Sequence, residues 1–455
     1  MCDRRRTRRS VLRLLGVASV GSLAGCPGSS TDAETVTPVR VPTNTAGTPT
    51  TASESQRPLS TLRPADADDS DEFGEAMALS ADGTIALIGA PADEDPNGRL
   101  AGSAYVFEST ADGWRQRAKL AAEDGDSFGA FGCGVALSSD GATALLGAES
   151  ADTDSGDRAG SAYVFQRVDG SWTQAAKITA LDGDSGDAFG CAVALSSDGT
   201  AALVGACDAD GPSGTLAGSA AAFEVDDGTW RQTATLAPDD GDGFDNFGES
   251  VALSADGATA VAGAPADEDP NGRLAGSAYI FQRTDGAWTQ RAKLAPEDGE
   301  RQDFFGRSVA VSDDGSTVLA GAYGDEAGSA YVFDVEADSW TQRYQLTPED
   351  GDPGDFFGFD VRLTGDGATA VVGAPGADSI DEAESGVAYT FETGVESWTQ
   401  TAKLVAAAGE RGDFFGRGVG VSADGAAALV GAPFDTTAAG EFAGTASVFT
   451  PSSPG

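Results

Sequence analysis

The chain of 455 residues contains no histidine, which removes histidine triads, histidine-ligated zinc and imidazole acid–base catalysis from consideration. Lysine is nearly missing as well, at four residues against 24 arginines. Of five cysteines, Cys2 and Cys26 fall near the start, leaving Cys133, Cys191 and Cys207 for the body of the chain. No Asn-x-Ser/Thr occurs. No apolar run reaches the ~20 residues of a membrane-spanning helix. Positive charge is scarce overall: from Cys26 onward 71 acids face 22 basic residues, a net −49. Such a surface repels nucleic acid and anionic lipid. Dispersed Asp and Glu with so little lysine read as adaptation to molar salt, where the screening length shrinks to about 3 Å. Cation capture by the acid clusters is the alternative reading.

What the chain does have is a repeat. A Phe-Gly pair is followed, fifteen residues after its glycine, by a Gly-Ala pair, seven times over. The Phe-Gly glycines are Gly74, Gly132, Gly190, Gly248, Gly306, Gly358 and Gly416, evenly spaced except for a shorter interval between Gly306 and Gly358. A period of this size signals a solenoid, a propeller or an array. Within each period four short apolar runs are separated by turn residues, with no helical stretch. The first two runs flank a recurring Asp-Gly such as Asp82-Gly83, a hairpin signal. The first three runs are apolar at both parities, as strands covered on both faces are, whereas the fourth alternates. The fourth strand is therefore expected to be outermost. It carries all four lysines (Lys119, Lys177, Lys293 and Lys403), which on an open edge would discourage pairing with other chains, and all six tryptophans.

Six tryptophans for seven repeats point to a shared blade. The last repeat stops before its fourth strand, while residues 56–64 (QRPLSTLRP) precede the first Phe-Gly at fourth-strand spacing. These observations predict an all-β fold: a seven-bladed β-propeller over residues 56–450, closed by mixing both termini.

Ahead of it, Thr7-Arg8-Arg9-Ser10-Val11-Leu12-Arg13 is a twin-arginine export pattern, with Arg8 and Arg9 as its signal. An apolar run from Leu14 leads to Leu23-Ala24-Gly25-Cys26, a lipoprotein-type cleavage box. The expected organisation is a leader over 1–26, with Cys26 lipidated, and a disordered Ser/Thr/Pro-rich tether over 27–55. The propeller would then hang from the outer face of the cytoplasmic membrane, touching the bilayer only through its lipid.

The seven Phe-Gly and Gly-Ala pairs, completed to Gly-Ala-Pro by Pro91, Pro265, Pro375 and Pro433, resemble the FG-GAP repeat family, which includes the propeller of integrin α subunits. The resemblance covers about residues 56–450. The strand at 288–294 (WTQRAKL) is similar to the bacterial and archaeal members. The family's calcium loop lies between the first two strands, where this chain is expected to have only a tight two-residue turn with one carboxylate. Calcium takes six to eight oxygens, so that role does not transfer. The long connections instead join strands two and three, and one blade to the next, and they share one acidic rim. Candidate Ca²⁺ ligands there are Asp93, Asp95, Asp152, Asp154, Asp208, Asp210, Asp267 and Asp269, although no loop holds a complete set and solvated acidic loops are the competing reading. Arg411-Gly412-Asp413 aligns with Arg301-Gln302-Asp303 and reads as repeat drift. The remaining cysteines read as small buried fillers, with a Cys191 to Cys207 crosslink as the alternative.

A catalytic site would break the seven-fold pattern at one place. The departures noted are a shortened loop in the fifth unit, Ala221 and Ala222 in the third and Arg362 in the sixth. The reading is a non-catalytic binding module whose partner is a protein or polysaccharide of the cell envelope. The alternatives are a polysaccharide-acting enzyme and a structural envelope component.

Overall fold

The computed structural model describes residues 55–450 apart from 212, 213, 269, 325, 338, 380, 381 and 396. The leader, Cys26 and all of the tether but Ser55 lie outside the described residues. Every regular element within them is a strand, and these form seven sheets. Blade 1 consists of Met77–Leu79, Ile85–Ala90, Ser103–Thr110 and Gly113–Leu120, antiparallel in that order. Blades 2 to 6 repeat the plan, and the innermost strands adjoin one another around a closed circuit.

The Asp-Gly turns are longer than a two-residue hairpin. In blade 1 the Ser80 amide donates to Ile85 across a loop whose Gly83 has φ 66°, and the Asp82 carboxylate accepts from Ser80 Oγ and the Thr84 amide. That carboxylate is thereby committed to its own turn. The turns also connect the blades. Amide-to-carbonyl bonds run Ala81 to Ser139, Ser139 to Ser197, Ser197 to Ala255, Ala255 to Asp313, Asp313 to Gly365 and Gly365 to Ala423, at 2.8–3.0 Å. The circuit closes through the Asp424 amide, 3.3 Å from the Ala81 carbonyl. Seven inner turns thus form one hydrogen-bonded collar around the axis.

The apolar core is divided among the seven interfaces between blades. Between blades 7 and 1 it holds Phe73, Met77, Tyr105, Phe107, Leu429 and Val448, with Trp114 packed against it. Each Phe-Gly phenylalanine is fully enclosed and meets the third-strand aromatics edge-on, as Phe73 does Tyr105 at 5.7 Å and Phe107 at 6.0 Å. The glycines of the two motifs have one shared cause. Gly89 of blade 1 lies against the carbonyl of Gly132 of blade 2, and a Cβ there would collide with it. The same contact recurs at every interface, ending with Gly431 against Gly74. The Gly-Ala of one blade is the surface on which the Phe-Gly of the next is laid.

Closure uses both termini as expected. Ser60–Leu62 pairs antiparallel with Thr445–Phe449, setting Leu62 opposite Ala446. The terminus also does something the sequence reading missed. Ser55–Gln56 pairs in parallel with Lys403 and Leu404 on the outer strand of blade 6, and Arg57 donates to the carbonyls of Ala406 and Ala407. The entering segment therefore covers part of one blade's open edge before completing the next.

Candidate functional site

The two sets of long connections do share a rim, where the loop after each outer strand meets the neighbouring strand-two-to-three loop: the Phe128 amide donates to Arg99, and Asn97 Nδ2 to Ala122. Lysine behaves differently there from the edge guard expected above. Lys119, Lys177, Lys293 and Lys403 fold back, their side chains only 13–28% exposed. Each Nζ lies 5.3–5.5 Å from the ring centre of a third-strand tyrosine: Tyr105, Tyr163, Tyr279 or Tyr389. Each also pairs at 2.6–3.0 Å with an acid from the preceding inter-blade loop: Asp66, Asp124, Asp240 or Asp350. With strand register placing lysine and tyrosine side by side, ring and acid together hold the ammonium in place.

The candidate calcium acids are distributed among such local tasks. Asp93 and Asp267 turn inward, each within 2.9 Å of a lysine Nζ and accepting the Tyr105 or Tyr279 hydroxyl at 2.6 and 2.7 Å. Asp95 donates its amide to Asp93. Asp152 and Asp210 each accept the amide six residues ahead, from Arg158 and Leu216. Asp208 lies 3.4 Å from Asn246 Nδ2. Asp154 sits on the exposed tip between Thr153 and Gly156, and Asp269 lies outside the described residues. Among the described residues no three acids gather as a metal site would need.

The departure from seven-fold symmetry lies at the axis. Immediately after the Phe-Gly glycine, where the innermost strand begins, the seven blades carry Glu75, Cys133, Cys191, Glu249, Arg307, Phe359 and Arg417. Strand direction places this ring at the mouth of the channel on the acidic rim, opposite the hydrogen-bonded collar. Blades 5 to 7 make it cationic and aromatic. The guanidinium groups of Arg307 and Arg417 lie 5.1 and 5.0 Å from the ring centre of Phe359, so both basic groups share one aromatic side chain. Arg417, 3% exposed, also lies 5.7 Å from the centre of Phe434 and donates through Nε to Glu75 at 2.7 Å. Its Nη2 is buried without a hydrogen-bond acceptor among the described residues, and the aromatic faces stand in its place. Tyr323 stacks on Phe304 at 5.2 Å and leans on Phe359 at 5.4 Å.

Blades 1 to 4 furnish acids and thiols instead. Burial, reinforced by the charges of Glu249 and Asp208, pushes the Glu149 carboxyl up to about 7. Burial and the neighbouring Glu75 do the same to Glu72, also to about 7. Glu149 is influenced by Glu75 and Glu249 from other blades, and Arg307 by Glu75, so these charges converge on the axis. Cys133, Cys191 and Cys207 are free thiols. Burial holds the thiols of Cys133 and Cys191 above the ordinary range, and the Cys207 amide donates to Cys191 Sγ at 3.3 Å. The crosslink raised as an alternative is not formed. The sequence did carry this ring, as a column next to Phe-Gly where chemistry changes from unit to unit; reading each repeat along its length concealed it.

The family described as FG-GAP repeat matches residues 59–107, 114–165, 172–223, 230–281, 288–333, 340–391 and 398–449. From the second onward each match begins on an outer strand and ends on the next blade's third strand, so the matched unit straddles two blades. No curated protein matches the chain. Among solved structures, the hydrazine synthase of Kuenenia stuttgartiensis superposes with a TM-score of 0.52 at 12% identity, over 81% of this chain and 94% of that one. At that identity the likeness speaks for the fold alone.

Proposed function

The chain belongs to the FG-GAP repeat family, and on that premise we propose that it is an exported, lipid-anchored binding module of the cell envelope whose ligand is read at the axial mouth. One observation carries the reading: the fold repeats faithfully seven times, yet the ring of residues just after Phe-Gly varies from acid to thiol to guanidinium to aromatic. A scaffold needs no such asymmetry. Recognition does, because convergent unlike groups in a concavity distinguish one ligand from another. The arrangement of Arg307, Phe359 and Arg417, with the arginines ion-paired at their flanks to Glu249 and Glu75, suits a protein or polysaccharide bearing polar and anionic groups beside flat or apolar faces. The Arg8-Arg9 signal and Cys26 support delivery to the outer face of the membrane, and the −49 charge supports a high-salt exterior.

Two experiments test the parts separately. Cys26→Ser should release the protein from membranes or leave it unprocessed; retention at mature size would overturn the anchor. Envelope fractions captured at native salt by the parent, but not by an Arg307→Ala/Phe359→Ala variant of equal fold content, would support axial recognition. Equal capture would move the site elsewhere. A catalytic reading has one observation in its favour, the two carboxyls of Glu72 and Glu149 near neutrality. Envelope polysaccharide cleaved by the parent and left intact by Glu149→Gln would favour it.

A further inference from the structure

The lysine–tyrosine–acid cluster is complete in blades 1, 2, 4 and 6 and is dismantled in blade 3. There Ala221 stands where Tyr105, Tyr163, Tyr279 and Tyr389 stand elsewhere, and Thr235 replaces the lysine, facing Ala221 across the same register. Ala209 also takes the place of the inward acid Asp93. The loop acid is kept: Asp182 lies four residues beyond the outer strand of blade 2, as Asp66, Asp124, Asp240 and Asp350 lie beyond theirs. Loss of a phenol and an aminobutyl chain with retention of their acid leaves a cavity of about 80 Å³, lined among others by Asp182, Asp187, Ala209, Asp210, Ser219 and Thr235. That is several times the space one water requires.

We propose that this cavity binds a primary alkylammonium group, which takes the position a lysine Nζ occupies in four other blades. The molecule itself displays the recognition chemistry. At the equivalent position in blade 2, Lys177 Nζ sits 2.7 Å from Asp124 without a second inward acid, since Ala151 stands where blade 1 has Asp93. One loop carboxylate therefore suffices as the anionic contact. In blade 3 the other two acids are already oriented: Asp187 accepts the Asp184 amide at 2.7 Å and Asp210 the Leu216 amide at 2.9 Å. Burial, with the nearby charges of Asp184, Asp210 and Asp182, raises the Asp187 carboxyl, a crowding of negative charge that an entering cation relieves. The walls at Ala206, Ala209 and Ala217 receive the methylenes. The ammonium can belong to a free amine or to a lysine side chain of a partner protein, with the same chemistry at the head.

Calorimetric titration of the full chain with n-butylammonium tests the assignment, with n-butanol and tetramethylammonium as probes lacking the charge or the N–H donors. Saturable binding of n-butylammonium is expected. It should be at least about tenfold weaker for both other probes and for Asp182→Asn, the loss of one charge-assisted hydrogen bond. Refilling the cavity with Ala221→Tyr/Thr235→Lys should abolish binding and raise the melting temperature. Binding of Nα-acetyl-lysine amide in competition with n-butylammonium would identify lysine side chains as a source; exclusion of the amide would restrict the site to free amines. Absence of saturable n-butylammonium binding, unchanged affinity in Asp182→Asn, or binding retained by the refilled variant would each overturn the proposal.

Discussion

Blades 1 to 4 and blades 5 to 7 are built on one strand plan with the same glycine contacts between neighbours, yet they line the axial mouth with opposite chemistry. In the first group the residue before Phe-Gly is Glu72, Ala130, Ala188 or Asn246, and the one after is an acid or a thiol. In the second group these positions hold Phe304, Phe356 and Phe414, then Arg307, Phe359 and Arg417. All seven preceding residues have φ of 53–58°, so the aromatic group accepts the same left-handed backbone as the small or polar one. Bulky residues are uncommon in that conformation, and strained positions cluster at functional sites. The lesson is that the repeat fixes the backbone and leaves the axial side chains free to diverge, so one half can become a rigid cation–aromatic assembly while the other stays small, acidic and titratable.

The largest difference should appear on removing the best-enclosed charge. Arg417→Ala leaves Glu75 without its partner and strips Phe359 and Phe434 of their guanidinium, and should cost about 3–5 kcal/mol. Cys133→Ala, at the same position in blade 2, should cost about 1 kcal/mol or less. Denaturant unfolding in molar KCl measures both, and equal losses would erase the distinction between the halves.

Next comes the aromatic face shared by two arginines. Phe359→Leu should cost about 1–2 kcal/mol. In a double-mutant cycle with Arg307→Met, a coupling of about 0.5–1 kcal/mol is expected. A coupling indistinguishable from zero would reduce the aromatic half to ordinary packing.

The acidic half should respond to pH. Glu149 and Glu72 ionise near 7 in the folded chain but in the ordinary carboxyl range when unfolded, so the folded state holds more protons between those values. Stability should therefore fall as pH rises through that window, with the burial cost complete above about 7. Glu149→Gln removes its share and should flatten the profile. An unaltered pH dependence would remove Glu149 from the account.

The smallest effect concerns the thiols. Because the folded structure disfavours the thiolates of Cys133, Cys191 and Cys207, alkylation at pH 8 should be at least about tenfold slower than in the unfolded chain. Fast modification of any one would reveal an activated thiol at the axis.

Much of the architecture was readable from residue order because a propeller is a local code. Asp-Gly turns, period-two alternation on the outer strand and the even spacing of the Phe-Gly pairs each depend on neighbours in the chain, and even the ring closure followed from counting strands at both ends. Contacts across the axis or between blades had no such signature. The lysines read as edge guards because alternation says which face a side chain takes, and does not say that a tyrosine on the next strand and an aspartate from another loop will hold its ammonium. Spacing along a loop made the acids candidate calcium ligands, whereas the folded loops turn the carboxylates of Asp93, Asp152, Asp208, Asp210 and Asp267 toward a nearby amide, hydroxyl or ammonium. The axial ring was present only as a column across the repeats: its members are each a full repeat apart in the chain and meet only when seven blades close. Sequence by itself determined the repeat, the strand order and the sharing of the last blade, since these are set by local backbone preference and apolar periodicity. Tertiary structure alone decided which carboxylates are occupied, which thiols and arginines share the axis, and that blade 3 keeps an acid whose lysine and tyrosine are both gone, because burial and long-range charge exist only once the ring is closed.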